Sequence, residues 1–145
     1  MSTVAAALAK IEDAEKGGRL SKPAAAGIRR WLEEAPFAPY REKLLGAIEA
    51  GDWKPLDDAF YAVLEFGTGG RRGIMYPVGT NVLNSRTIAE SARGLADFLR
   101  KKKGEGAACS CVIARDTRHN SPEFAESCAR VMAAAGVKVY LFKDR

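Results

Sequence analysis

The residues with the clearest capacity for chemistry are Phe66-Gly67-Thr68-Gly69-Gly70-Arg71-Arg72-Gly73, which set two arginines inside a run of glycines. Glycine lets the main chain bend toward a ligand, and arginine presents a planar, permanently charged fork of donors that matches phosphate or carboxylate oxygens. On residue types alone two readings stand level: an anion site, and a glycine-rich surface turn with two solvated arginines. The second candidate is Arg115-Asp116-Thr117-Arg118-His119-Asn120-Ser121. A loop after a strand and before a helix offers an anion unpaired amides and the positive end of a dipole, and Arg118 adds a charged donor. Its plainer reading is that Asp116 and Ser121 close a turn and cap a helix while Arg118 pairs with Asp116.

Other reactive types carry less. His119 is the single histidine, and no serine or cysteine stands in a context that would make it the base of a triad; a surface or hydrogen-bonding role is the better expectation. Cys109, Cys111 and Cys128 lack metal-type spacing, and Cys109 and Cys111 alternate along an extended run, so one buried strand face is expected for both. Glu33-Glu34 and Asp57-Asp58 are adjacent acids expected on solvated helix faces. The run Arg100-Lys101-Lys102-Lys103 has no interleaved aromatics, which favours solubility over nucleic-acid binding.

These loops need elements to hold them. Residues 1–64 are rich in alanine, leucine, glutamate and lysine, with breaks at Gly17-Gly18, Pro36 to Pro39 and Gly51-Asp52, and predict three or four short helices. Ile28, Trp31 and Leu32 share one face, Leu44, Leu45 and Ile48 another, and Leu56, Phe60, Val63 and Leu64 continue the spacing. Residues 65–86 read as turns with short extended pieces near Phe66 and Ile74-Met75. A helix follows, with Thr87 and Glu90 at capping-box spacing and Ile88, Ala92, Leu95 and Leu99 on its apolar face. Cys109 to Ala114 and Val137 to Phe142 read as strands around a helix capped by Ser121, opened by Pro122 and closed by Gly136, with Phe124, Cys128, Val131, Met132 and Ala135 inward. Strand, helix and strand at this spacing form a βαβ unit and imply a parallel sheet. A parallel sheet needs further strands and cover on both faces, and the sequence stops at Asp144-Arg145, so an incomplete fold is expected.

At 145 residues with 23 Lys+Arg against 18 Asp+Glu, a net charge of +5, the chain suits one domain with a hydrophobic core and favours anionic ligands in general. No basic leader with a long apolar stretch and no membrane-length run occurs, so neither secretion nor membrane insertion is expected. A reducing, cytoplasmic setting is the default for this cysteine usage.

Four collinear segments carry a family resemblance: Phe66 to Gly73, then Gly79-Thr80-Asn81-Val82-Leu83-Asn84, Gly94-Leu95-Ala96-Asp97, and Asp116 to Ser121. In order and spacing the chain resembles the amino-terminal portion of the α-D-phosphohexomutases, nearest the phosphoglucomutase and phosphomannomutase branch that includes phosphopentomutases. The resemblance implies an α/β protein in which a helical leader, residues 1–64, precedes a partial first domain, residues 65–145. It implies an enzyme that interconverts sugar 1-phosphates with 6-phosphates, or 5-phosphates for pentoses. A phosphoserine, Mg2+ and a sugar bisphosphate intermediate would serve the reaction, and the partners would be a phosphorylated sugar and the remaining domains of the same enzyme, with no nucleic acid or membrane.

In the Phe-Gly-Thr-x-Gly-x-Arg motif of that family the arginine approaches the phosphoserine and the substrate phosphate, and that position is Arg72. Arg71 stands where leucine is common, and two roles stay open for it: an added charge, or a side chain facing solvent. Thr68, Gly70, Arg118 and His119 are further candidate phosphate-site residues. The family's serine loop, its acidic metal loop and its sugar-selecting loop do not occur in this sequence, so neither a catalytic nor a metal residue is expected in it, and the chain alone is expected to be inactive. A noncatalytic anion-binding or protein-interaction module derived from the same fold is the alternative.

Overall fold

Helix formation in the first half follows the apolar spacing and clear end signals. The structure, a computed structural model, describes residues 3–104 and 106–143; Asp144 and Arg145, the end of the expected second domain, lie outside them. The chain divides into two compact units, one through Asn84 and one from Ser85.

In the first unit α1 (Val4–Lys16) starts at Thr3, whose hydroxyl accepts from the Ala6 amide at 3.3 Å. It ends where Gly18, at φ 69°, turns the chain so that Arg19 N donates to Ala14 O at 2.8 Å and Gly18 N to Glu15 O at 3.1 Å. This paired closure satisfies carbonyls that a helix end otherwise leaves orphaned. Next, α2 (Lys22–Glu33) buries Ala24, Ala25, Ile28, Trp31 and Leu32 along one stripe. Its cap, Ser21, accepts from Ala24 N and donates its own amide to Asp57 Oδ1 at 2.7 Å. Asp57 is therefore half-buried and tied to a distant helix start, which corrects the expectation of a solvated acid.

Pro36 to Pro39 do break the α pattern, but as a 3-10 helix over Ala35–Tyr40 rather than a loop. It delivers Phe37 and Tyr40 to Trp31: the Trp31 and Phe37 rings stack at 4.8 Å, and Tyr40 and Phe60 each sit at 5.2 Å, the latter edge-on. Then α3 (Arg41–Ala50) buries Leu44 and Ile48 and closes at Gly51, φ 76°, and α4 (Trp53–Phe60) buries Leu56, Ala59 and Phe60. Fully burying one such large side chain contributes about 2–3 kcal/mol, so the core around Trp31 accounts for much of this unit's cohesion. Val63 does not join that stripe. The helix has ended by Phe60, and Val63 lies 64% exposed while Leu64 is buried.

In the second unit α5 (Ser85–Lys103) begins two residues ahead of the expected cap. Thr87 is consequently an interior, buried position, and Glu90 pairs with Arg86 at 2.7 Å. Leu95 is half-exposed, and Ala92 and Ala96 carry the buried face. Small residues there let α5 pack closely on α6 (Ser121–Ala134).

Strands β1 (Ser110–Ile113) and β2 (Lys138–Leu141) pair in parallel, Ser110 opposite Lys138 through Ile113 opposite Leu141, with α6 between them in sequence. The expected βαβ unit and α/β class are therefore present. Cys109, Cys111, Val137 and Val139 face the α6 side chains Cys128, Val131 and Met132, so the cysteines pack as a shared apolar face, as their alternation implies. Burial pushes the Cys128 thiol pKa up, and the neighbouring Cys111 adds to that. On the opposite face Val112, Tyr140 and Phe142 are exposed.

The ends of α6 show how local chemistry sets an element. Its cap is Asn120, in the left-handed region at φ 60°, with Ser121 and Pro122 the first helical residues; the expected Ser121 cap is displaced by one position. Asparagine adopts that conformation more readily than other non-glycine residues. At the far end Gly136, φ 82°, gives the expected left-handed stop: Val137 N donates to Met132 O at 3.0 Å and Gly136 N to Ala133 O at 2.9 Å. Among the described residues no helix is long and apolar enough to cross a membrane.

Candidate anion site

The glycine-arginine segment belongs to the first unit. Gly67 and Gly70 face each other across a tight turn, each amide donating to the other's carbonyl at 3.1 Å. Gly69 at φ 84° and Gly70 at φ 114° take backbone shapes that side chains resist, and a positive φ at the third turn position is what a type II turn requires. Thr68 and Gly69 thus form the turn's tip, and Arg71 and Arg72 leave it on the ascending side.

The two arginines differ. Arg72 is exposed, and Arg71 is half-buried, so the position that matches the motif is the one presented to solvent and the added arginine is partly packed into the protein. Phe66 and Ile74, on either side of this stretch in sequence, are both about 70% exposed (69% and 72%).

The stems of this loop are held from one side. Leu64 N donates to Thr80 O at 2.8 Å, and Leu83 N donates to Ile74 O at 2.8 Å, so residues 80–83 grip the chain both before and after the loop. Gly73 sits against Leu64, where an added Cβ would come within 3.1 Å of Leu64 Cδ1. That grip in turn is fixed to the end of α4. Ala59 O accepts from both Thr80 N and Asn81 N at 2.9 Å, Asp58 O from Asn81 Nδ2 at 3.0 Å, and Ala62 O from Thr80 Oγ1 at 2.6 Å. Asn84 Nδ2 donates to Gly79 O at 3.0 Å and is buried. The segment Gly79 to Asn84 therefore serves as a cap and clamp, a role that residue spacing did not reveal.

The second loop lies in the other unit. Asp116 Oδ1 accepts from Arg118 N at 3.0 Å and Asp116 Oδ2 from Arg118 Nε at 2.8 Å, while Ser121 Oγ accepts from Asp116 N at 3.1 Å. The plainer reading holds for the turn closed by Asp116 and Ser121 and for the Arg118–Asp116 pair, while the helix cap is Asn120 rather than Ser121. Arg118, by these bonds, holds the Asp116 carboxyl at a pKa of about 2, well below the usual aspartate range. The ion pair is exposed, and His119 is exposed beside it. Arg115, which the sequence placed at a strand end without a role, donates to Lys143 O at 2.7 Å and lines a cavity of about 320 Å³ with Pro122, Glu126 and Phe142. Its position immediately beyond β1 is the signal that could have singled it out.

The sequence-derived candidates thus fall into two sets: Thr68, Gly70, Arg71 and Arg72 on one loop, and Arg118 and His119 on the other. Among the described residues no three His, Cys, Asp or Glu side chains gather as a metal site.

Comparison with known proteins adds an independent line. The model of the phosphoglucomutase/phosphomannomutase alpha/beta/alpha domain I matches residues 63–144. A phosphoglucomutase of Staphylococcus haemolyticus is 39% identical over 85 residues, 59% of this chain and 15% of that protein. The phosphopentomutase of Homo sapiens is 31% identical over 121 residues, 79% and 20% of the two chains. A phosphoribomutase of Saccharomyces cerevisiae is 26% identical over 113 residues, 78% and 18%. The chain spans at most about a fifth of the length of these curated relatives (15–20%). No solved structure matches it.

Proposed function

Because this chain belongs to the phosphoglucomutase/phosphomannomutase family, we propose that it supplies one phosphate-binding wall of a phosphosugar mutase, with Arg72 as the contacting residue. The single observation that carries this is the exposed Arg72, set two residues past the Gly67–Gly70 turn on a braced loop. Phosphoryl transfer is catalysed mainly by positioning and by neutralising oxygen charge. A guanidinium held at the site lowers the cost of gathering phosphate oxygens, and Arg72 has the charge and the access to do so.

In this reading the substrate class is a hexose or pentose phosphate that exchanges a 1-phosphate for a 6- or 5-phosphate. The nucleophilic phosphoserine, Mg2+ and a sugar bisphosphate would act through residues other than those described, in a cytoplasmic enzyme. Arg118 is committed to Asp116, so it ranks behind Arg72 as a phosphate ligand. A noncatalytic anion-binding module is the second reading, favoured by the fact that the bonds that hold the arginine loop and its clamp lie wholly within the first unit.

The test is titration of the chain with glucose 1-phosphate while the side-chain Nε resonance of Arg72 is followed by NMR. A saturable shift at Arg72, abolished in Arg72→Ala and retained in Arg118→Ala, supports the assignment. A response unchanged in Arg72→Ala would sink it. Turnover of glucose 1-phosphate by the enzyme with its remaining mutase domains, lost in Arg72→Ala, supports the mutase reading over the binding module.

A further inference from the structure

The family match begins at residue 63, whereas α4 covers Trp53–Phe60 and lies wholly outside it. Yet the last turn of α4 and the residues just after it hold the segment that holds the arginine loop. Four bonds cross between them: two backbone amides and the Asn81 side chain end on carbonyls of residues 58 and 59 in α4, and the Thr80 side chain ends on that of Ala62, two residues past the helix. A helix end leaves such carbonyls without intrahelical partners, and here their partners come from more than fifteen residues away, Thr80 to Ala62 being 18 apart and Asn81 to Asp58 being 23.

We propose that Thr80 and Asn81 are positioning residues for Arg72, transmitting the location of α4 to the phosphate loop. The assignment of Arg72 as a phosphate ligand underlies this proposal. Each stem of the loop has one strong bond to the clamp, at Leu64 and at Ile74, so a shift of residues 80–83 moves both stems together. The Thr80 hydroxyl and Asn81 amide fix that segment more tightly than its backbone alone, because each satisfies a separate carbonyl. The leader would then be part of the phosphate site's geometry, although it contributes no side chain to the ligand.

The experiment compares the full 145-residue chain with Asn81→Ala, Thr80→Val and Thr80→Ser, using amide hydrogen exchange and the Arg72 side-chain NMR response to inorganic phosphate. Losing one such bond is expected to raise exchange at Leu64, Gly67, Gly70 and Leu83 about five- to tenfold in Asn81→Ala and Thr80→Val. Ile28 in the core should exchange at the parent rate, and the Arg72 response should weaken. Thr80→Ser, which keeps the hydroxyl, should restore both. The proposal is overturned if the loop amides exchange as in the parent, or if Ile28 accelerates by the same factor, since that is global destabilisation. If Arg72 of the parent shows no phosphate response, the ligand assignment fails, and the exchange pattern alone then supports or overturns the clamp.

Discussion

Gly79 lies directly on Ala59: a Cβ added to Gly79 would stand 2.5 Å from the Ala59 carbonyl oxygen and 2.7 Å from its Cβ. That same oxygen accepts from Thr80 and Asn81, so the space a side chain would need is the space the clamp occupies. Gly79 also sits at φ 117°, where a side chain is strained in any surroundings.

Gly79→Ala is therefore expected to destabilise the first unit by about 2–4 kcal/mol, combining backbone strain with overpacking. Gly69→Ala provides the control. Gly69 has φ 84° but no atom within 4 Å of an added Cβ, so about 1 kcal/mol is expected. Urea unfolding of both variants checks this, and equal losses would show that the Ala59 contact carries no weight.

Trp31 makes a second case for cooperative packing. It is buried at 2% exposure and touches Phe37, Tyr40 and Phe60 from different angles. Trp31→Ala should cost about 3–5 kcal/mol, and Trp31→Phe less, because a ring remains to stack on Phe37. Chemical denaturation together with the near-ultraviolet circular dichroism of the aromatic cluster would reveal it. A loss under about 1 kcal/mol for Trp31→Ala would show that the cluster does not anchor the helices.

How far the sequence reaches depends on the range of the deciding interaction. The α6 stop at Gly136 and the shared face of Cys109 and Cys111 were legible because turn chemistry and strand alternation are local. The α6 start was misread by one residue, since Asn120 and Ser121 are both good capping types and only the φ of 60° at Asn120 separates them. On α5, Leu95 and Ala96 both fit a helical stripe, and close packing against α6 selects the smaller. Arg72 was legible as a motif position. The clamp was not, because Asn81 and Asp58 are 23 residues apart and no periodicity joins them.

Asp116 gives a pH prediction with a definite sign. Its carboxyl is held at a pKa of about 2 by the Arg118 side chain first, then by the Arg118 amide. A folded pKa below the unfolded value means that the loop's contribution is present above the ordinary aspartate range and is lost as pH falls from there through about 2. Carboxyl-carbon NMR titration should show this depressed midpoint, and Arg118→Ala should raise it toward the ordinary value. An ordinary midpoint in the parent would mean the Arg118 pairing does not persist in solution.

Arg71 and Arg72 should separate stability from binding. Arg71 is half-buried and Arg72 exposed, and the apolar stem of a partly buried arginine contributes packing as well as charge. Arg71→Ala is expected to lower stability by about 1 kcal/mol and Arg72→Ala by less than about 0.5 kcal/mol. For phosphate the order reverses: Arg72→Ala removes the contacting guanidinium, while Arg71→Ala weakens binding only through a looser loop. Urea unfolding and phosphate titration on the same two variants check both halves. If Arg71→Ala abolished phosphate binding with stability intact, the ligand would be the added arginine, and the exposed motif position would be a solvated side chain.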